Sequence, residues 1–544
     1  MTSLSVDEQD LTISELGEIV ALEPAQDQKG TYAQILKSSA LVGGASVLNI
    51  VIGIVRMKMM ALLLGPAGLG LLSLYSSIVM LTQTFAGMGV NSSGVRQIAA
   101  ANGSHEEERV ALTTVVLIRT SILLGLFGAL ILILFSKQIS IVTFGTRDHA
   151  SAVSVLAIAV FLTLIGAGQS ALLQGLRRIT DLAKTSVIGA FLGTLLSLPL
   201  VYFFRDGGVI PSLVGVAAMT TFASWWYSRK ASIKAPALSF QAITAEAGAL
   251  LKLGVAFMSS GLMTIGVAYV IRITVLRKIG FEATGLYQSA WTLGGLYVGF
   301  ILQAMGADFY PRLTAHVDDN VTSNRLVNEQ TQVGLLLAGP GVLATLTFAP
   351  LVISLFYSAR FAPAVGILRW ICLGTIIQVV TWPMGFIIVA KAKQALFIGC
   401  EVAWALVSLG LAWLCIDRFG LTGAGIAFFG SYVFHGFLIY AVVNRLNGFH
   451  WSRENRLVGS AFLLVIAVVF CSFYVLPSIA AGTLGVIATI VGGVYSIQTL
   501  ASLVSLDRIP APVKRILTVL RLVPTPVAAS GSHDVQHNHH NRVI

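Results

Sequence analysis

Fourteen stretches of about twenty mostly apolar residues follow one another along this chain, and they leave few folds open. Their limits lie near 40–64, 71–92, 111–135, 151–173, 185–204, 209–227, 253–276, 286–307, 333–357, 365–390, 395–416, 422–443, 457–476 and 480–504. Each is long enough for a helix to cross the hydrocarbon of a bilayer and too long for a barrel strand. In hydrocarbon a backbone has no water to bond, so spans of this length must satisfy themselves as α-helices. Charged residues make up only 11% of the chain, against about 25% in a soluble domain. So few charges could not cover a water-facing surface of this size. An ordinary soluble enzyme, a disordered chain and a nucleic-acid binder are excluded. The expected fold is an all-α polytopic membrane protein with about fourteen spans.

The net charge of +11 is unevenly placed. Residues 1–28 hold seven acids (Asp7, Glu8, Asp10, Glu15, Glu18, Glu23 and Asp27) and no base, so they read as an acidic cytoplasmic tail rather than a signal peptide. Elsewhere the bases sit in small groups between the apolar runs. With a cytoplasmic N-terminus, 23 bases fall in inside segments and seven in outside loops. The bias toward basic inside loops then places both termini in the cytoplasm.

The chain also repeats. Phe144-Gly-Thr-Arg147 matches Tyr357-Ser-Ala-Arg360 at an offset of 213, and Gly65-x4-Gly70-Leu71 matches Gly280-x4-Gly285-Leu286 at 215. Arg178 pairs with Lys391 and Arg205 with Arg418 at the first offset. The expected organisation is a tail over 1–38, a six-helix lobe over 39–230, a linker over 231–252 and a second six-helix lobe over 253–445. Two further helices over 446–505 and a basic, His-rich tail over 506–544 lie outside the repeat. Parallel repeats of this kind enclose a transport path between the halves.

Charges inside the apolar runs are the candidate functional groups, because a charge in hydrocarbon is costly and usually faces a cavity. Arg56 in the first run and Arg272 in the seventh occupy nearly equivalent repeat positions, and the runs offer few acids to pair with them. Arg119 is a further candidate, open to either a cavity or a structural role. Arg369 is similarly open, and Lys58 reads as a side chain reaching back to the interface. Glu401 is the acid well inside a run, fit either for ion coupling or for hydrogen-bonded packing. A guanidinium offers paired, charge-assisted hydrogen bonds and never deprotonates, which suits a pyrophosphate. An exporter of organic cations would need carboxylates instead.

The remaining features are read as packing. Cys372, Cys400, Cys415 and Cys471 lie in apolar runs without metal-ligand spacing. Gly189-x3-Gly193 and Gly295-x3-Gly299 read as helix contacts. Gly339-Pro340-Gly341, Pro350 and Trp382-Pro383 read equally as hinges or static kinks. His435 reads as a core histidine, and the tail histidines His533, His537, His539 and His540 as solvated. No nucleotide-binding loop or catalytic constellation is present, so neither a cofactor nor a resident metal is expected, and an enzyme is not.

Leu64-Gly-Pro-Ala-Gly-Leu-Gly70, Gly87-Met-Gly-Val-Asn-Ser-Ser-Gly94, Tyr310-Pro311 and Phe356-Tyr-Ser-Ala-Arg-Phe361 together resemble the Wzx-type lipid-linked oligosaccharide flippases. These belong to the multidrug/oligosaccharidyl-lipid/polysaccharide (MOP) exporter superfamily. The resemblance covers residues 35–445 and implies two lobes around a central cationic cavity. It implies a cargo of undecaprenyl-pyrophosphate-linked glycan, carried by alternating access across a bacterial inner membrane for O-antigen or related surface polysaccharide. Arg56 matches a cavity arginine of the related lipid II flippases. A polysaccharide polymerase and a chain-length regulator are implied partners, besides membrane lipids. Many such flippases have twelve helices, so the last two spans depart from the pattern. The alternatives are a cation-coupled drug antiporter of the same superfamily and a membrane polysaccharide polymerase.

Overall fold

The computed structural model describes residues 25–104, 106–231 and 240–503. The expected tails fall outside these residues over 1–24 and 504–544, the His-rich tract among them. Every regular element described is helical. The helices are α1 (Ala25–Gly87), α2 (Val90–Gly103), α3 (Glu107–Leu134), α4 (Ser136–Phe144), α5 (Ala150–Gly175), α6 (Ile179–Phe204), α7 (Val209–Ser228) and α8 (Phe240–Lys278). They continue as α9 (Phe281–Ala315), α10 (Asn320–Thr347), α11 (Ala349–Phe356), α12 (Ala364–Ala390), α13 (Gln394–Phe419), α14 (Thr422–Asn447), α15 (Arg453–Val475) and α16 (Ser478–Leu503). Among the described residues nine helices are long and apolar enough to cross a membrane, or ten if α10 and α11 form one broken span. The protein is therefore a multi-pass membrane protein.

Two expected runs are joined in α1. The chain kinks at Gly65 (φ 65°, ψ −172°), a conformation that side chains rarely adopt, and Pro66 restarts the helix. The opposite departure occurs at 333–357, which is not one helix: α10 ends at Thr347 and α11 begins at Ala349. Pro340, expected to break this run, stays within α10. Proline lacks the N–H that would bond the carbonyl four residues earlier, that of Leu336. One residue on, Tyr297 donates its hydroxyl to Leu337 O at 2.7 Å.

The helices pack into two compact units. The first holds the described residues through Leu293 with Pro350–Ile371 and Ala395–Phe434. Within it α8 packs on α1, α2 and α3. A cluster of buried side chains including Tyr75, Ile78, Leu132, Val160 and Tyr269 forms part of its core. The second unit holds Gly294–Ala349, Cys372–Gln394 and the described residues from His435 to Leu503.

In the second unit α15 and α16 pack on α10 through glycines. The Phe462 ring covers Gly339, and Gly485 lies against Thr347. Amides fasten the end of this packing. Asn455 Nδ2 donates to Asn328 O at 2.7 Å, Ser452 N donates to Asn328 Oδ1 at 2.8 Å, and Asn447 Nδ2 donates to Asn324 Oδ1 at 2.6 Å. At the same end Asp319 caps α10, accepting from the backbone N–H groups of Val321 and Thr322. These bonds, with that from the Thr322 hydroxyl the largest influence, hold its carboxyl below the usual carboxylate range.

The first unit is tied at both ends by backbone contacts. Where α1 kinks, Gly70 meets Gly285 at the start of α9: a Cβ on Gly285 would strike Pro66 O, and one on Gly70 would strike Phe281 O. Several bases lie at this end, among them Arg205, which donates Nη1 to Leu63 O at 3.1 Å. Arg277 donates Nη2 to Ile141 O and, at 2.6 Å, to Val142 O; Lys58 donates Nζ to Ser354 O at 2.7 Å. Lys278 pairs with Asp417 at 2.6 Å. Lys58 therefore spends its charge on protein rather than only reaching for an interface. At the opposite end Gly89 and Gly254 meet in the same way, and Ser93 Oγ donates to Leu250 O at 2.8 Å.

Candidate functional site: a cationic cavity

The kink at Gly65 lets α1 line one cavity from both of its arms. Arg56, Met57 and Met60 come from the first arm, and Leu69, Ser73, Ser77 and Met80 from the second. The wall continues with Thr264, Ala268 and Arg272 of α8, Gln288, Trp291 and Thr292 of α9, and Tyr357 beyond α11. The cavity, which lies within the first unit, holds about 540 Å³, within the usual range for a small-molecule site. Its surface is mostly apolar, with hydroxyls, an amide and two guanidinium groups set into it.

The two arginines are held differently. Arg272 donates Nε to Gln288 Oε1 at 2.7 Å, and Gln288 Nε2 donates in turn to Thr292 Oγ1 at 2.9 Å. That chain fixes the plane of the guanidinium through Nε and leaves its two amino groups without a partner among the described residues. Arg56 has no hydrogen-bond or ion-pair partner among the described residues. Next to it, Met57 Sδ accepts from the Tyr357 hydroxyl at 2.9 Å, which fixes the phenol at the rim. Ser77 donates to Ser73 O at 2.7 Å and so presents its oxygen lone pairs rather than its proton.

No carboxylate belongs to the lining among the described residues. Two half-buried guanidinium groups thus stand in a mostly apolar wall with no acid in the lining among the described residues, a charge balance that chemically suits an anion better than a cation.

Of the four residues singled out from sequence, the structure brings Arg56 and Arg272 together and leaves two elsewhere. Arg119 is exposed on α3 and stands outside the lining, while its neighbours Val116, Leu117 and Thr120 take the buried positions. Glu401 is half-buried on α13, near enough to Tyr432 to interact electrostatically, and it too lies outside the lining. Sequence reasoning missed Gln288, Thr292 and Tyr357. Tyr357 opens one of the repeat matches, which was a usable signal. Gln288 is a lone amide in an apolar run, and nothing in its spacing marked it.

Comparisons with known proteins bear on the family and the fold. A family model described as "Polysaccharide biosynthesis protein" matches residues 59–366, more than half of the chain. A lipid III flippase of Escherichia coli (strain K12) is 23% identical over 412 residues, spanning 73% of this chain and 95% of the flippase. Among solved structures, the lipid II flippase MurJ in an inward closed conformation superposes with a TM-score of 0.62 at 12% identity, over 85% of this chain and 99% of MurJ. An inward-facing multidrug-resistance MATE transporter of the MOP superfamily gives 0.61 at 14% identity, over 73% and 95%. The fold is that of the MOP superfamily.

Proposed function

This chain belongs to the polysaccharide biosynthesis protein family, and from that membership we propose that it flips a lipid-linked oligosaccharide across a membrane. The observation that carries the reading is the pairing of Arg56 and Arg272 in a cavity without acids. The named function of the lipid III flippase relative supports it. The cargo is a glycan on undecaprenyl pyrophosphate, and the membrane is the bacterial inner membrane. The protein acts as a transporter rather than an enzyme.

Neither a pyrophosphate nor a sugar chain crosses hydrocarbon unaided, because each would lose its hydrogen bonds to water. The cavity replaces them. Arg272, oriented by Gln288, offers two amino groups in a fixed fork, and Arg56 closes on the other side of the diphosphate. Gln288 acts as a positioning residue: it touches the arginine and not the cargo. The lipid tail stays in the bilayer, and the lobes open to one side and then the other. Both termini face the cytoplasm, so reporter fusions after residues 230 and 510 read cytoplasmic and one after residue 280 reads periplasmic.

The test uses purified protein in liposomes loaded with a labelled lipid-linked glycan. Movement of the label to the opposite leaflet, lost when both arginines become alanine, is the expected result. Pumping of cationic dyes with the glycan left in place would instead make the protein a drug antiporter of the same fold.

A further inference from the structure

The apolar runs contain more cations than the cavity uses. Lys58 stands two residues from Arg56 on α1, and Arg277 five residues from Arg272 on α8. Both point to the end where α1 kinks, and both end on backbone carbonyls. Arg277 reaches Ile141 O and Val142 O, near the C-terminus of the short helix α4. Lys58 reaches Ser354 O, near the C-terminus of the short helix α11. Ile141 O also accepts the capping N–H of Gly145 at 3.0 Å, and the carbonyl end of a helix carries its partial negative charge, which makes it a natural seat for a cation.

The two contacts are related to one another. Ser354 lies 213 positions after Ile141, the offset at which Phe144-Gly-Thr-Arg147 matches Tyr357-Ser-Ala-Arg360. The two donors differ by 219 positions, one helical turn from the offset of 215 that relates Gly70 to Gly285. A cation from the first helix of each repeat therefore docks on the short helix of the other. The bare crossing of Gly70 and Gly285 lies at the same end.

We propose that Lys58 and Arg277 form a crossed latch that holds the outer end of the cavity shut around the Gly70–Gly285 crossing. Calling that end outer rests on the topology proposed above. Opening to the periplasm requires both cations to leave their carbonyls. At the inner end, at Gly89 and Gly254, the described residues show no such pair; their side-chain ties there include Ser93 to Leu250 and Thr113 Oγ1 to Glu246 Oε1 at 2.7 Å. The latch is thus a property of one end, and it biases the resting protein against opening outward.

The experiment places a reporter cysteine at Ser73, in the cavity wall, in full-length protein whose four native cysteines are replaced by alanine. A membrane-impermeant thiol reagent is then added to the periplasmic side of spheroplasts. Lys58→Ala with Arg277→Ala should raise the labelling rate about tenfold, and each single change by less. Lys58→Arg with Arg277→Lys should restore slow labelling, which separates the latch from a general loss of folding. Equal rates in the double alanine variant and its parent would overturn the latch, as would fast labelling in the conservative variant. The readout needs no cargo, so an intact latch in a protein that moves no lipid-linked glycan would reject the transport reading and leave the latch standing.

Discussion

Arg56 and Lys58 are two residues apart on one helix, yet they belong to different regions with different chemistry. The cavity holds Arg56 and Arg272 with most of their donors unspent. The rim holds Lys58 and Arg277 with theirs committed to helix-end carbonyls. Arg56 and Arg272 are half-buried whereas Arg277 is exposed, so the cavity pair carries the larger cost of leaving water, and the rim pair gains carbonyl contacts besides. The cavity recovers little until an anion arrives. A membrane cation with satisfied donors is a fastening, and one with spare donors is a binding group.

The largest predicted effect breaks the cavity side of that comparison. Arg56→Ala with Arg272→Ala removes two charge-assisted contacts, each worth about 1.5–3 kcal/mol. Transport of labelled lipid-linked glycan in liposomes should fall by at least ~100-fold, with protein abundance unchanged. Lysine at either site should recover only part, because it keeps the charge and loses the fork.

A smaller effect sharpens the contrast between anchored and unanchored arginines. Gln288→Met keeps the bulk and removes the acceptor for Arg272 Nε. Binding of a soluble pyrophosphate, followed by calorimetry on detergent-solubilised protein, should weaken by about tenfold, on the order of 1.4 kcal/mol. Thermal stability should hold. An unchanged affinity would mean that Arg272 orients itself.

The second unit supplies a control without charges. Gly485→Ala pushes a methyl group into Thr347, and overpacking of this kind costs about 1–3 kcal/mol. Thermal unfolding in detergent should show the loss, while pyrophosphate affinity stays at the parent value. A parallel loss of affinity would show that the α10–α16 packing and the cavity are not independent.

The smallest effect is at Asp319. Its carboxyl titrates lower in the folded protein than in the unfolded chain, so its stabilisation is fully present above the unfolded value. It disappears as pH falls through the lowered folded value. Asp319→Ala should therefore lower Tm slightly at neutral pH and make no difference at strongly acidic pH.

Much of the cavity was legible in the sequence because Arg56 and Arg272 announce themselves twice, once by charge in an apolar run and once by repetition. The Gly70 and Gly285 match was likewise visible, although its role as a contact was not. Arg119 shows the limit. In a soluble helix the apolar face points inward, but a membrane helix is apolar all round, so spacing does not tell which side of α3 faces protein. The partner of Lys58 was not legible for a related reason: the carbonyl it meets lies some three hundred residues away along the chain. The break at Phe348 was marked by Pro350, two residues on in the first turn of α11, whereas Pro340 stays within α10. The kink at Gly65, marked by a glycine and a proline, was anticipated as an end and turned out to be a bend.

The crossing of Gly70 and Gly285 has a mechanical meaning. Interlocked side chains act like gear teeth, and helices joined by them move in steps as rotamers jump. Two helices that touch through bare backbone have no teeth. They can roll and slide over one another with little friction, as the surfaces of a plain bearing do. The grip at that end then comes from the cations beside the bearing, and the pivot itself favours no position.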